Sequence, residues 1–217
     1  MSRIVVPGEL ISTKIIRGRY LYTSKEGTRV AVIGVYDETQ EKFIPLKGSY
    51  IPSVGDIVIG IVDEEKPIGY GVDILSPYKG LLPSRATRIH LAPGDVISAE
   101  IFDVSEVKDA ILGRVRRLYG GRLTSISPTK VSRVIGKKNS MLNILQQGTE
   151  CEIVVGRNGV IWIKGKHIQK AIDAIMKIEQ EAHISGLTER IQNMLMRSSS
   201  SMEQTKTGIE SETKTNS

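Results

Sequence analysis

Cysteine, histidine and long hydrophobic runs are all scarce in this sequence. Cys151 is the single cysteine, so an intramolecular disulfide is excluded, and with three histidines a Cys/His zinc site is not expected. No stretch approaches the roughly 18 apolar residues of a membrane-spanning helix, and the first residues lack the apolar core of a signal peptide. We therefore expect a cytoplasmic protein with no cofactor, no bound metal and no membrane association.

Aromatic residues are also few, at 5% of the chain, so a base-stacking surface would be sparse and the core aliphatic. The net charge of +6 favours a polyanionic partner. This charge is unevenly spread, because residues 119–197 contain 12 basic and 6 acidic side chains and account for most of the excess. A nucleic-acid contact is therefore expected in that segment.

Residues 1–118 consist of short Val- and Ile-rich runs interrupted by Gly, Pro or Asp roughly every 8–12 residues, which predicts an all-β sandwich or small barrel. The runs are RVAVIGVY, DIVIGIV, GYGVDIL, DVISAEIF and AILGRV. Residues 54–58 and 93–97 each place a Gly-Asp turn before a buried strand. The similarity of these two turns is explained either by coincidence or by a true internal repeat.

The end of the chain has helical periodicity followed by a polar tail. An amphipathic helix is predicted to end near Gly186, with a short second helix over residues 187–197. The apolar positions of the amphipathic helix are Ile168, Ala171, Ile172, Ile175 and Ile178. Residues 198–217 have almost no large apolar side chains, so we expect them to be disordered.

Residues 54–118 contain a G-D-x-V-x-G-x-V strand, a G-x-x-V-D-I strand, a G-L-L-P-S step and a second G-D-x-V strand, in that order. This stretch resembles an S1 RNA-binding domain of the OB-fold class. The resemblance implies a five-stranded barrel with one face free for nucleic acid.

The sequence departs from the S1 pattern where that family often carries stacking aromatics and a histidine. Those positions are here Ile68, Gly71 and Pro83, and the nearest aromatic is Tyr70. Several basic side chains remain as candidate phosphate contacts, each with a merely solvated charge as the alternative. They are Lys79, Arg85, Arg88, His90, Arg114, Arg116 and Arg117.

Residues 122–186 have the predicted order βααββα and resemble a eukaryotic-type (type I) KH domain. In that family a GxxG loop between two helices lets the nucleic-acid backbone approach closely. The loop here is Gly136, Lys137, Lys138 and Asn139. Asn139 replaces the second glycine and, of the other residues, best tolerates positive φ, while the two lysines offer charges for phosphates.

Two further features of this segment are predicted from local pattern. Asn158-Gly159 is typical of a type I′ hairpin turn, and Trp162 on that hairpin is expected in the core. Residues 119–124 contain Gly120 and Gly121 and form a candidate hinge, and another domain boundary is expected near Pro52.

No catalytic constellation is found. Asp63, Glu64 and Glu65 could be imagined as a nuclease metal site, but we expect a solvated loop between barrel strands. Asp56, Asp73 and Asp95 are expected to be structural. No P-loop, nucleophile elbow or H-x-E motif occurs, so we predict that the chain is not an enzyme.

The order S1 then KH, behind a β-rich segment of residues 1–53, resembles the S1/KH cap subunits of the archaeal exosome, the counterparts of ribosomal-RNA-processing protein four. The resemblance implies a non-catalytic subunit whose N-terminal domain docks on a hexameric ring of RNase PH-type subunits. Three copies, alone or mixed with another cap protein, would guide single-stranded RNA 3′ ends into the ring for 3′-to-5′ degradation and processing.

The alternative is a ribosome- or mRNA-associated RNA-binding factor without a nuclease. The N-terminal domain discriminates between the two, because a cap subunit needs an apolar docking patch there. From the sequence we predict that Ile11, Ile15 and Ile16 form this patch.

Overall fold

The computed structural model describes residues 2–18, 20–46, 48–182, 184 and 186–196, and the expected disordered tail lies outside these residues. The chain folds into two compact units. The first contains the chain up to Tyr119 together with residues 125–131 and 155–161, and the second contains the remainder. The continuous part of the first unit therefore ends within the candidate hinge, and two later segments of the chain also belong to this unit.

Six short strands form the N-terminal part of the first unit, as two three-stranded sheets of order β1-β5-β6 and β2-β4-β3. One cluster of buried side chains from both sheets makes their shared core. It contains Val5, Ile11, Val30 and Tyr36, with Ile16, Leu21 and Phe43 packed against them. The strands are β1 (Ser2–Val5), β2 (Leu10–Ser12), β3 (Leu21–Ser24), β4 (Gly27–Val30), β5 (Gly34–Asp37) and β6 (Lys42–Pro45).

The predicted docking patch is wrong. Ile11 is only 8% exposed and belongs to the core, and Ile16 packs against the same core. Ile15 alone of the three is exposed, since it points away from the core on which its neighbour Ile16 packs.

Five longer strands close into a barrel of order β10-β11-β9-β8-β7, which confirms the predicted OB-like fold. β9 and β11 are parallel, and the other neighbours are antiparallel. The interior is mainly aliphatic, with Val58, Ile74, Leu91, Ile101 and Leu112 at 0–1% exposure. The strands are β7 (Ile57–Lys66), β8 (Gly69–Asp73), β9 (Lys79–Pro83), β10 (Val96–Val104) and β11 (Asp109–Arg117).

The two Gly-Asp turns have the same structural role. Asp56 Oδ2 accepts a hydrogen bond from the Ser53 N–H at 3.2 Å, and Asp95 Oδ2 accepts one from the Ala92 N–H at 2.8 Å. Each carboxylate closes the turn that starts one strand of the antiparallel pair β7–β10. Asp73 likewise accepts the Leu75 N–H at 2.8 Å, so these carboxylates serve the backbone.

The KH segment has the predicted order βααββα and a sheet of order β12-β14-β13. The last long helix ends at Gln180, not near Gly186, and its last buried side chain is that of Ile178. A short helix α4 follows over residues 187–196. The other elements are β12 (Arg122–Ser125), α1 (Val131–Ile135), α2 (Ser140–Thr149), β13 (Cys151–Val155), β14 (Val160–Gly165) and α3 (Ile168–Gln180).

Trp162 is 2% exposed, which confirms its core position, and its indole N–H donates to the Gly120 carbonyl at 2.7 Å.

Within the described residues, no helix has the length and apolar content required to cross a bilayer.

The hairpin between β13 and β14 is present, but its turn is not type I′. Type I′ needs positive φ at two central residues, and of the pair only Gly159 has it, at 89°. Asn158 is 4% exposed, and its side chain forms hydrogen bonds with the barrel backbone. Its Nδ2 donates to the carbonyls of Ile59 (2.8 Å) and Ile74 (2.9 Å), and its Oδ1 accepts the Ile59 N–H at 3.3 Å.

These contacts complete the barrel at one edge. The β7–β8 ladder reaches Ile61–Asp73 and no further, so the polar groups of Ile59 and Ile74 lie beyond its end. The amide of Asn158 offers a donor and an acceptor there, as a strand backbone would. The hairpin tip therefore belongs to the first compact unit although it lies 84 to 99 positions away in sequence.

Candidate nucleic-acid interface

An open, mainly apolar slot of about 490 Å³ lies on the outside of the barrel. Because Leu82 and Leu112 point into the core, their neighbours Leu81, Pro83 and Ile111 face outward and form its walls. Ile68, at 80% exposure, stands at its edge. The slot thus lies where the S1 pattern has aromatic side chains, with aliphatic walls in their place.

Tyr70 is only 9% exposed and belongs to the barrel core. Its hydroxyl oxygen accepts the Leu91 N–H at 3.4 Å and lies 3.4 Å from His90 Nδ1. The ring therefore forms part of the slot lining and does not offer a free face for stacking.

Two cations flank the slot. Arg85 lies in the short 3-10 turn Ser84–Ala86 that follows β9, where its side chain is exposed. Lys66, which was not among the residues predicted from the sequence, lies at the end of β7 and forms an ion pair with Glu64 at 2.7 Å. Hydrogen bonding to Glu64 and its negative charge raise the pKa of Lys66, so this side chain stays cationic at neutral pH.

The remaining predicted cations of the barrel are more dispersed. Arg88 and His90 are exposed in the segment after the 3-10 turn. Lys79 lines a separate cavity of about 180 Å³ together with Asp63, Glu64 and Asp73. Those carboxylates oppose a phosphate at that position.

The arginines of β11 are paired with carboxylates and with rings. Arg114 forms an ion pair with Glu100 at 2.8 Å and lies 5.7 Å from the centre of the Phe102 ring. Arg117 forms an ion pair with Asp95 and lies 4.8 Å from the centre of the Tyr119 ring. Arg116 is exposed between them. Neither exposed ring was predicted from the sequence, because aromatic residues alone do not show on which side of a strand they lie.

The loop between α1 and α2 has the geometry of a tight, charged turn. Gly136 has φ 74°, and a Cβ there would lie 2.7 Å from the Met141 backbone nitrogen, so this position requires glycine. Lys138 and Asn139 have φ of 52° and 63°, so Asn139 adopts the positive φ that its side chain tolerates. The exposed side chains of Lys137, Lys138 and Asn139 stand immediately before α2.

The acidic run at residues 63–65 is not a loop. Asp63, Glu64 and Glu65 lie within β7, where Glu64 pairs with Gly71 and Glu65 with Tyr70 on β8. The strand was predicted too short because three consecutive exposed residues near its end are acidic and break the apolar alternation. In the part of the chain that the structure describes, no group of His, Cys, Asp and Glu side chains could hold a metal ion.

The outer face of the β1-β5-β6 sheet is apolar and uncovered within the described residues. Ile4, Val35 and Ile44 lie in register across the three strands, with Ile4 67% and Ile44 48% exposed. Three more exposed apolar side chains lie one residue beyond the ends of these strands: Val6 (52%), Ile33 (39%) and Leu46 (44%). A polar row borders the first and consists of Ser2, Asp37 and Lys42. An apolar centre with a polar border is the usual arrangement of a protein interface.

Comparison with known proteins matches the KH segment to a family model and most of the chain to curated relatives. A KH domain family model matches residues 121–169. Exosome complex component Rrp4 of Methanothermus fervidus is 39% identical over 90% of this chain and 96% of its own length. The Rrp4 of Pyrococcus furiosus is 39% identical over 89% of this chain and 82% of its own.

One solved crystal structure is also similar. It is of a candidate exosome complex RNA-binding protein, with a TM-score of 0.62 and 34% identity, and the match covers 69% of this chain and 97% of that one. The similarity in sequence therefore extends over the barrel, the KH segment and the N-terminal sheets together.

Proposed function

Because this chain belongs to the Rrp4 family of exosome complex components, we propose that it is a non-catalytic RNA-binding subunit of an archaeal exosome. Three copies, alone or with another cap protein, would form a cap on a ring of RNase PH-type subunits. The cap would guide single-stranded RNA 3′ ends into the ring for 3′-to-5′ degradation and processing in the cytoplasm. The ring subunits would carry out the RNA degradation itself.

The uncovered apolar face of the β1-β5-β6 sheet supports this proposal most directly. A protein that bound only RNA would have no use for a row of aliphatic side chains across this sheet with three more exposed at the strand ends. We assign this face, and not the predicted Ile11, Ile15 and Ile16, to the ring. The N-terminal domain of residues 1–53 keeps its proposed docking role with a different set of residues.

RNA contacts are proposed at two places. On the barrel, the slot with Arg85 and Lys66 would admit bases against aliphatic walls, with Arg88 and His90 nearby and the β11 arginines, Arg114, Arg116 and Arg117, further along. On the KH domain, Gly136 to Asn139 would receive phosphates. Aliphatic walls offer few hydrogen-bond donors or acceptors, so this binding would be largely sequence-tolerant.

The test is an affinity pull-down of the tagged full chain from lysate of its own organism after RNase treatment, with mass spectrometry of the retained proteins. Recovery of RNase PH-like subunits in near-equal amount with the bait is the expected result. Recovery of ribosomal proteins in their place would favour the ribosome- or mRNA-associated factor, and recovery of the bait alone would contradict both.

Neutralising the KH loop is expected to lower the salt dependence of RNA binding. Each phosphate contact on single strands contributes about −0.7 to the slope of log K against log salt, so Lys137→Gln with Lys138→Gln should make the slope shallower by about 1.4. Titration of fluorescent single-stranded RNA at several salt concentrations measures this slope. Lys25→Gln with Lys42→Gln removes the same charge from the N-terminal sheets and should leave it unchanged. Equal slopes for both double variants would contradict the loop assignment.

A further inference from the structure

Two aromatic side chains on the barrel hairpin β10–β11 and its exit are exposed, and each is paired with an arginine. Phe102 is 47% exposed beside Arg114, and Tyr119 is 60% exposed beside Arg117. With aromatics at 5% of the chain, an exposed phenylalanine needs an explanation that barrel packing does not supply. Aromatic faces and arginine planes together are the surfaces on which unpaired bases stack.

The backbone presents Phe102 and Arg114 through two β-bulges. Between the pairs Ile101–Leu112 and Asp103–Ile111, Phe102 is the extra residue of β10. Between Ser98–Arg116 and Glu100–Gly113, β11 has the longer path, and Arg114 within it has φ of 47°. Bulges re-aim side chains, and a non-glycine residue at positive φ is strained. Bulges also help a barrel to bend, but bending does not require an exposed ring at the bulged position.

Phe102 and Arg114 lie next to the slot along β11. Ile111 lines the slot, and Gly113, two residues further along β11, faces the same side. The Phe102 ring covers Gly113, since a Cβ at Gly113 would lie 2.6 Å from Phe102 Cε2. Two residues of a strand span about 7 Å, which is about two stacked nucleotide steps of 3.4 Å.

We propose that the RNA track on the barrel extends from the slot across β11 to Phe102, where one base stacks on the ring and Arg114 contacts the adjoining phosphate or base. The inference rests on the proposed RNA-binding function and adds a specific base position to it. Glu100 holds Arg114 over the Phe102 ring through their 2.8 Å ion pair, which favours a preset position for the guanidinium.

The test measures affinity of the purified full chain for a fluorescein-labelled, unstructured 12-nucleotide RNA at low salt. Phe102→Ala should weaken binding about 5-fold or more, the usual effect of removing one stacked base contact, whereas Phe102→Trp should bind within about 2-fold of the original chain. Phe102→Leu keeps an apolar side chain over Gly113 but has no ring, so it separates loss of stacking from loss of folding. We expect it to lose as much affinity as Phe102→Ala. Val107→Ala, at 78% exposure on the same hairpin, is the matched control.

A second readout reports stacking itself. RNA should quench the emission of Phe102→Trp, whereas the native Trp162 is 2% exposed and should respond little. Unchanged affinity of Phe102→Ala and Phe102→Leu, together with weaker binding by Arg85→Gln, would overturn the extended track and leave the RNA-binding barrel standing. Absence of RNA binding by the unaltered chain would overturn both.

Discussion

Replacing Ile44 by lysine is expected to abolish stable association with the RNase PH-type ring. Ile44 is the end of the in-register row Ile4–Val35–Ile44 on the apolar face, so the change would bury an unpaired charge in the proposed interface. A buried interface contact of this kind is typically worth about 2–4 kcal/mol, or roughly 30- to 1000-fold in affinity. Titration of the purified chain against the purified ring by calorimetry measures the loss.

The matched control is Ile15→Lys in the same N-terminal domain. Ile15 is 69% exposed but lies outside the apolar face, so its replacement should leave ring affinity within about 2-fold. Because Ile44 is itself 48% exposed, its replacement should leave the thermal midpoint of the isolated chain nearly unchanged. Normal ring binding by Ile44→Lys, with loss in Ile15→Lys, would contradict this assignment of the face.

Replacing Asn158 by leucine is expected to destabilise the chain by about 3 kcal/mol or more. The change leaves the Ile59 N–H and the carbonyls of Ile59 and Ile74 without their partner at a buried position, and each such group costs about 1–3 kcal/mol. Leucine is close to asparagine in size, so the loss would come from unsatisfied backbone groups and not from a cavity. Equilibrium unfolding in urea measures the change.

Asn143→Ala controls for the removal of an asparagine as such. Asn143 is exposed on α2, where alanine is the better helix former, so stability should be equal or slightly higher. A change below about 1 kcal/mol for Asn158→Leu would show that water satisfies the barrel edge and that the hairpin tip does not complete it.

Much of the fold could be predicted because its signals are local. The Gly-Asp turns before β7 and β10, the alternation along the barrel strands and the periodicity of α3 each depend on neighbours a few residues apart. The positive φ of Asn139 was expected for the same reason, since it follows from that residue's own side chain.

The errors occurred where sequence pattern could not show what covers a residue. Ile11 and Ile15 are the same amino acid, yet the first packs in the core of the N-terminal sheets and the second is exposed. The acidic residues 63–65 suggested a loop, but pairing with β8 keeps them extended. The Asn158-Gly159 pair predicted a type I′ turn, but hydrogen bonds from a distant barrel strand hold Asn158 in another conformation.

The sequence by itself determined the order of modules, the barrel and KH topologies and the charged loop at residues 136–139, because turn chemistry and hydrophobic period act over short distances. Only the tertiary structure decided which apolar side chains remain uncovered, which ring faces solvent beside Arg114 and which amide completes the barrel. Those outcomes depend on strand register and on contacts between residues far apart in the chain, since a shift of one residue in register turns the side chains of a strand to the opposite face.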